Sequence, residues 1–187
     1  MKFSIAIVAA AFIAGVAQAD TYPHDEVLYD VVQIQGSVNR LSQMLKTVDG
    51  TSENGALQAQ DAVQDLAWYM KVATKDIQST TTDLKDTTII SMLTKAYPDL
   101  VAATDKLVAI KPNLKKFEVE MKNAASLVKS DIIDLTWKTM WFTIALVAKV
   151  PDKDDKKNAA RAVAKKYNSR LSATLEQYSD VKEYSDA

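Results

Sequence analysis

Hydrophobic residues recur every three or four positions along most of the chain, which is the period of an amphipathic α-helix. The first stripe alternates steps of four and three residues, and it consists of Val27, Val31, Ile34, Val38, Leu41, Leu45 and Val48. Asp49 and Gly50 follow it, and a glycine in this position is typical of a helix C-terminus. The pattern therefore predicts a long first helix that ends close to residue 48.

Three more stripes have the same helical period. They consist of Val63, Leu66, Met70, Ala73 and Ile77; of Ile90, Leu93, Tyr97, Leu100, Thr104 and Leu107; and of Ala160, Val163, Tyr167, Leu171, Thr174, Tyr178 and Val181. The threonine-rich segment 79–88 is polar and β-branched, so the second helix is predicted to end there. Asp152 is the predicted N-cap of the last helix, and Asp155 suits its first turn.

Two prolines bear on the middle of the chain. Pro98 predicts a kink or a break near Tyr97, and Pro112 is expected to separate the third helix from a fourth. The fourth helix is predicted to pass through Leu114, Phe117, Met121, Ala124 and Val128. It either continues to Val150 or is interrupted near Ser130 and Asp131. No stretch shows sustained strand alternation. The sequence thus predicts an all-α bundle of about five long amphipathic helices, in which an apolar cavity is an open alternative.

The segment DLTWKTMWFTIALVAKVP, residues 134–151, is unusually apolar. One stripe of a helical wheel holds Trp137, Met140, Trp141, Ile144, Val147 and Ala148, whereas Phe142, Leu146 and Val150 lie off it. The uninterrupted run from 140 to 148 is shorter than the roughly 20 residues that span a bilayer. Two compatible interpretations remain: a central helix buried on several sides, or a helix that lines a cavity or groove for an apolar ligand.

The candidate ligand-binding residues come from this segment and the predicted helix before it. They are Trp137, Met140, Trp141 and Ile144, with Phe117 and Met121 next, because indoles and thioethers adapt to varied apolar shapes. For each of these side chains, ordinary packing in the core is the alternative.

The first nineteen residues have the form of a secretory signal peptide. Lys2 precedes an apolar run, and Ala17-Gln18-Ala19 has the small-x-small form of a cleavage site. We expect cleavage after Ala19 and a single helical domain over residues 20–187, without a transmembrane segment. The protein is accordingly expected to be secreted.

Charge and composition exclude several classes of function. Without Lys2 the chain has 22 basic residues (23 − 1) against 24 acidic ones, which gives no strong field for nucleic acid or for an anionic membrane surface. There is no cysteine, His24 is the only histidine, and no nucleotide-binding or zinc motif occurs. The basic segment 156–170 is interpreted as a solvated helix face. We expect no cofactor, no metal and no enzymatic activity.

A secretory leader, a cysteine-free series of amphipathic helices and the segment YPDLVAATDKLVAIKPNLKKF (97–117) together resemble the hydrophobic surface-binding protein A family, which includes fungal cell-wall galactomannoproteins. The similarity extends from about Val27 to Tyr178. It implies a secreted or wall-associated helical bundle without enzymatic activity. It also implies partners: a hydrophobic surface, a fatty acid held between helices, or a secreted hydrolase recruited to a surface. The chain departs from many wall-bound members in having no Ser/Thr-rich tail.

These observations lead to a functional hypothesis and one rival. The hypothesis is a secreted, non-catalytic protein that binds apolar matter, either a fatty-acid-like ligand between its helices or a hydrophobic surface through amphipathic helices. The rival is a structural or antigenic cell-wall protein with a solidly packed bundle and no ligand.

Overall fold

A computed structural model describes residues 23–81, 83–84, 87–117, 123–152 and 155–182. It contains five helices: α1 (Pro23–Thr47), α2 (Glu53–Ser79), α3 (Thr88–Phe117), α4 (Ala124–Lys149) and α5 (Asp155–Glu176). No strand occurs within these ranges. The all-α prediction is confirmed, while the predicted signal peptide and Met121 lie outside the described residues.

Four of the predicted stripes form the core. Every member of the first stripe is buried, with at most 2% of its surface exposed. The stripe of α2 is buried to the same extent, the stripe that begins in α5 and ends at Val181 is at most 6% exposed, and in the stripe of α3 only Tyr97 is half-buried. A regular period places successive apolar side chains on one helix face, which is why the sequence was sufficient here.

Gly50 joins α1 to α2 in a conformation that favours glycine. Its φ is +76°, and a Cβ at this position would lie 3.0 Å from the carbonyl oxygen of Ile110. The side-chain amide of Asn113 donates a hydrogen bond of 2.6 Å to the carbonyl of Asp49. The predicted C-terminal glycine signal thus marks a turn that packs closely on α3.

Contrary to the prediction, neither of the two prolines ends a helix. Both Pro98 and Pro112 lie inside α3, which runs unbroken to Phe117. Both prolines are exposed, so the carbonyls of Thr94 and Val108, which lose their helix donors, can be hydrated by water. The expected boundary at Pro112 is therefore wrong, and Leu114 belongs to α3.

The boundaries of α4 and α5 also differ in part from the predictions. Helix α4 begins at Ala124 and passes through Ser130 and Asp131 without interruption. Asp155 lies in the first turn of α5 as predicted. Asp152 is not the N-cap, because it precedes that helix by three residues and its carboxylate pairs with Lys157 at 3.1 Å.

The five helices form a ring in the order α1, α2, α4, α5, α3, and each packs mainly against two neighbours. Helices α2 and α4 are parallel. The Gln64 amide, near the middle of α2, donates to Asp131 at 2.9 Å, and the Lys149 ammonium donates to the Thr80 carbonyl at 2.5 Å where both helices end. In α5, the Tyr167 hydroxyl donates to the carbonyl of Leu93 at 2.8 Å and fixes that helix against α3.

Helix α4 is therefore not the central helix that its composition suggested. Its buried side contains Leu135, Phe142 and Leu146, whereas Trp137 and Trp141 on the opposite side are 55% and 54% exposed. Helix α4 is buried on its inner side and its flanks, where it contacts α2, α5 and α3, but its outer side has no neighbour among the described helices. Core packing is excluded for both tryptophans.

Adjacent substitutions in α4 test this orientation. We expect Phe142→Ala to lower the free energy of unfolding by about 3–5 kcal/mol, because it empties a buried site. We expect Trp141→Ala to change it by less than about 1 kcal/mol, because half of the indole already faces water. Urea unfolding of the two variants measures the difference; equal losses would contradict the orientation.

Candidate functional site

The side of α4 that faces away from the ring is apolar. The outer face of α4 is defined here by the exposed residues Trp137, Trp141, Ile144 and Ala148, with half-buried Met140 and Val147 beside them. Their spacing of three and four residues places them in one row along the helix. Soluble proteins seldom expose a contiguous group of large apolar side chains unless it contacts a ligand, a partner or a membrane.

A groove of about 420 Å³ runs along one side of this row, between α4 and α5. The α4 wall contains Thr143, Ile144, Val147 and Ala148, and the α5 wall contains Lys157, Arg161, Ala164 and Asn168. From residue 157 to residue 168 the α5 wall is roughly 16 Å long, at 1.5 Å per residue. We call it the α4–α5 groove.

The two ends of the α4–α5 groove differ in charge. At one end, the Asn168 amide donates to the Thr143 hydroxyl at 3.0 Å. At the other end, the Lys157 ammonium donates to the carbonyl of Val150 at 2.7 Å and pairs with Asp152. Within the described part of the chain, Arg161 has no ion-pair partner. An anionic group at that end would therefore meet a free guanidinium.

A second groove, of about 360 Å³, lies on the other side of the outer face of α4. Lysines 71, 75 and 138 line it together with Thr74, Gln78 and Trp141. Lys138 pairs with Asp134 at 2.5 Å one turn earlier in α4. Both flanks of the apolar row are thus lined by basic side chains.

The structure brings together four of the six predicted ligand-binding residues. Trp137, Met140, Trp141 and Ile144 share the outer face of α4, so they line an exposed surface rather than a cavity between helices. The side chain of Phe117 and all of Met121 lie outside the description. Whether these residues bind a ligand stays a prediction.

Sequence reasoning missed the other walls of the grooves. Lys157 and Arg161 belong to the basic segment 156–170, which had been interpreted as a solvated face. Ala164 carries no chemical signal at all. The pairing of α5 with α4 across the intervening turn is what gives these residues a common site.

Two buried carboxyl groups lie elsewhere, between helices. Asp30 on α1 is 5% exposed and faces Asp76 on α2, and its Oδ2 atom has no hydrogen-bond donor among the described residues. Burial raises the pKa of Asp30 to about 7, with Asp76 and Glu26 adding to the effect. Burial also raises the pKa of Asp131 to about 6, although the Gln64 amide opposes that shift.

Among the described residues, no group of three or more His, Asp or Glu side chains is placed to hold a metal ion. Over the same residues, no helix is both long enough and apolar enough to cross a membrane.

The fold is similar to that of AFMP4P from Aspergillus fumigatus, which was crystallised in complex with palmitic acid. The two proteins are 26% identical, with a TM-score of 0.71, over 83% of this chain and 99% of that chain. No protein-family model matches this chain, and no curated protein sequence matches it either. The likeness supports a related helical fold, which is the coarser part of the resemblance inferred from the sequence.

The buried carboxyl of Asp30 should make the free energy of unfolding depend on pH. The folded protein retains its proton up to about pH 7, whereas an unfolded Asp loses it near 3.8. Asp30 therefore lowers stability as the pH rises from about 4 through 7. We expect Asp30→Asn to raise the free energy of unfolding by roughly 1–3 kcal/mol at pH 8 and to change it little at pH 4.

Urea unfolding at both pH values measures this difference. Glu176→Gln, at an exposed position on α5, is the control and should show no such dependence on pH. An equal effect of Asp30→Asn at pH 4 and pH 8 would contradict the assignment.

Proposed function

We propose that this protein is a secreted, non-catalytic lipid-binding protein, and that the outer face of α4 is its binding surface. One observation carries the proposal: a row of large apolar side chains is exposed on a folded bundle, beside a groove with a cationic end. The palmitic acid bound to AFMP4P, a structural neighbour, supports a fatty-acid-like ligand.

In this proposal, the alkyl chain of a fatty acid lies in the α4–α5 groove. Ile144, Val147 and Ala148 contact it from α4, and Ala164 contacts it from α5. Its carboxylate pairs with Arg161, whose guanidinium has five donors and suits a bidentate contact with a carboxylate. Asp152 also lines this end and opposes an anion, but Lys157 already neutralises it through the 3.1 Å ion pair.

The open shape of the groove sets the expected affinity. A sixteen-carbon chain that is half buried gains about 6 kcal/mol, at about 0.8 kcal/mol per fully buried methylene. Association costs on the order of 4–15 kcal/mol, so the ion pair at Arg161 and any closure of the groove must supply the remainder. We therefore expect a dissociation constant between about 1 µM and 1 mM.

A second mode, adsorption to a hydrophobic surface, is favoured by the tryptophans. Because Trp137 and Trp141 are already half exposed, the protein can place them on an apolar surface without opening the bundle. This mode differs from adsorption by unfolded amphipathic helices, which requires loss of the core. The rival function, a structural or antigenic cell-wall protein, would use the polar exterior and bind no lipid.

Calorimetric titration of the delipidated protein with palmitate tests the fatty-acid mode. We expect saturable binding near one per chain. Ala148→Glu should weaken it by roughly tenfold or more, because the new carboxylate lies in the groove and repels the ligand's own. Ala148 is exposed, so the variant should remain folded.

Ala102→Glu is the matched control, since Ala102 is also exposed but lies on α3 and lines neither groove. Equal weakening by both variants would place the ligand elsewhere. No heat at two well-separated temperatures, with no other sign of binding, would favour the structural rival.

A further inference from the structure

All three tryptophans of the chain are exposed. Trp68, Trp137 and Trp141 show 54–55% of their surface to solvent. Tryptophan is highly buried on average in soluble proteins, because its indole is the largest apolar side chain. Exposure of every tryptophan is therefore informative about the surface on which they lie.

The tryptophans lie on two adjacent helices at the same height. The hydrogen bonds from Gln64 to Asp131 and from Lys149 to Thr80 fix the parallel register of α2 and α4, with a difference of 67 to 69 residues. Trp68 is consequently level with residues 135–137 of α4. We call the exposed sides of these two helices, from residues 66–75 and 135–149, the α2–α4 face.

The α2–α4 face contains basic residues and no acidic ones. The segments LAWYMKVATK (66–75) and LTWKTMWFTIALVAK (135–149) have no Asp or Glu. Among the described residues, Lys71 and Lys75 have no ion-pair partner. Of the carboxylates that border these segments, Asp65 pairs with Arg40 and Asp134 pairs with Lys138, whereas Asp76 lies beside the buried Asp30. The face is locally cationic although the whole chain has a formal charge of −1.

We propose that the α2–α4 face docks on the surface of an anionic lipid bilayer. This inference rests on the surface-binding mode proposed above and adds the charge of the partner. The near-zero net charge of the chain gave no reason to expect an anionic membrane as a partner, but net charge is a sum over the whole chain and does not describe one face. Tryptophan is enriched at the boundary between head groups and acyl chains, and lysines beside it pair with anionic head groups.

The geometry suits shallow docking rather than insertion. In this arrangement, the indoles of Trp137 and Trp141 enter the boundary region together with Ile144, while the Lys71 and Lys75 ammonium groups reach lipid phosphates. No helix needs to leave the bundle. The α4–α5 groove borders the same face through Ile144 and Ala148, so docking would bring its opening close to the lipid.

Vesicle binding tests this proposal, with tryptophan emission as the readout. Because every tryptophan lies on the α2–α4 face, docking should shift the emission to shorter wavelength. We expect binding to phosphatidylcholine vesicles that contain 30% phosphatidylglycerol to be at least roughly tenfold stronger than binding to pure phosphatidylcholine. High salt should weaken this preference.

Charge reversal separates the proposal from simple hydrophobic adsorption. The double variant Lys71→Glu/Lys75→Glu should lose the preference for anionic vesicles. The matched control Lys95→Glu/Lys116→Glu changes the net charge equally at exposed positions of α3, which is not a neighbour of α2 in the ring, and it should retain the preference. Circular dichroism verifies that both variants are folded.

Three outcomes overturn the proposal. Equal binding to charged and uncharged vesicles would leave hydrophobic adsorption intact and remove only the role of the lysines. Equal loss in both double variants would reduce the effect to net charge. If wild type binds neither vesicles nor uncharged polystyrene particles, the surface mode itself fails, while palmitate titration of the groove remains a separate result.

Discussion

The ring arrangement limits how much of any one helix can be buried, and the surface of this protein follows from that limit. Helix α4 contacts α2 on one flank and α5 on the other, and it turns Leu135, Phe142 and Leu146 toward the core. A helix in such a ring has one side without a neighbour. Because α4 is apolar on nearly its whole circumference, that side must expose large apolar side chains. The outer face of α4 is thus a consequence of combining this sequence with this topology.

The sequence was sufficient to predict the buried residues wherever a helix has one apolar and one polar face. The stripe from Val27 to Val48 is buried throughout because it is the one continuous apolar face of α1, although Tyr29 and Val32 are exposed elsewhere on that helix. It was insufficient for α4, where apolar residues on both sides give no such contrast. Tertiary contacts decided the outcome there, and they buried Phe142 instead of Trp141. The helix boundary predicted at Pro112 was wrong for a different reason. An exposed proline in a well-packed helix removes one hydrogen bond, which water can replace.

The candidate site could be predicted only in part for a related reason. Trp137, Trp141 and Ile144 lie in one helix, so their spacing alone places them in one row. Arg161 and Ala164 reach that row from α5, and Lys71 reaches it from α2, through the packing of separate helices. No local sequence pattern shows that residues of separate helices line the same site. The lysines also have a physical role whatever the ligand, because charges beside exposed apolar residues oppose association between copies of the protein.

The central claim is that lipid binds on the outside of the ring, along α4, and not inside the core. An NMR titration of the isotope-labelled protein with palmitate tests this claim most directly. The account predicts saturable shifts in the backbone amides of Ile144, Val147, Ala148 and Ala164 and in the side chain of Arg161, while amides near Leu66 and Leu135 stay unchanged. Shifts centred on those core residues, or no shifts at all, would contradict it.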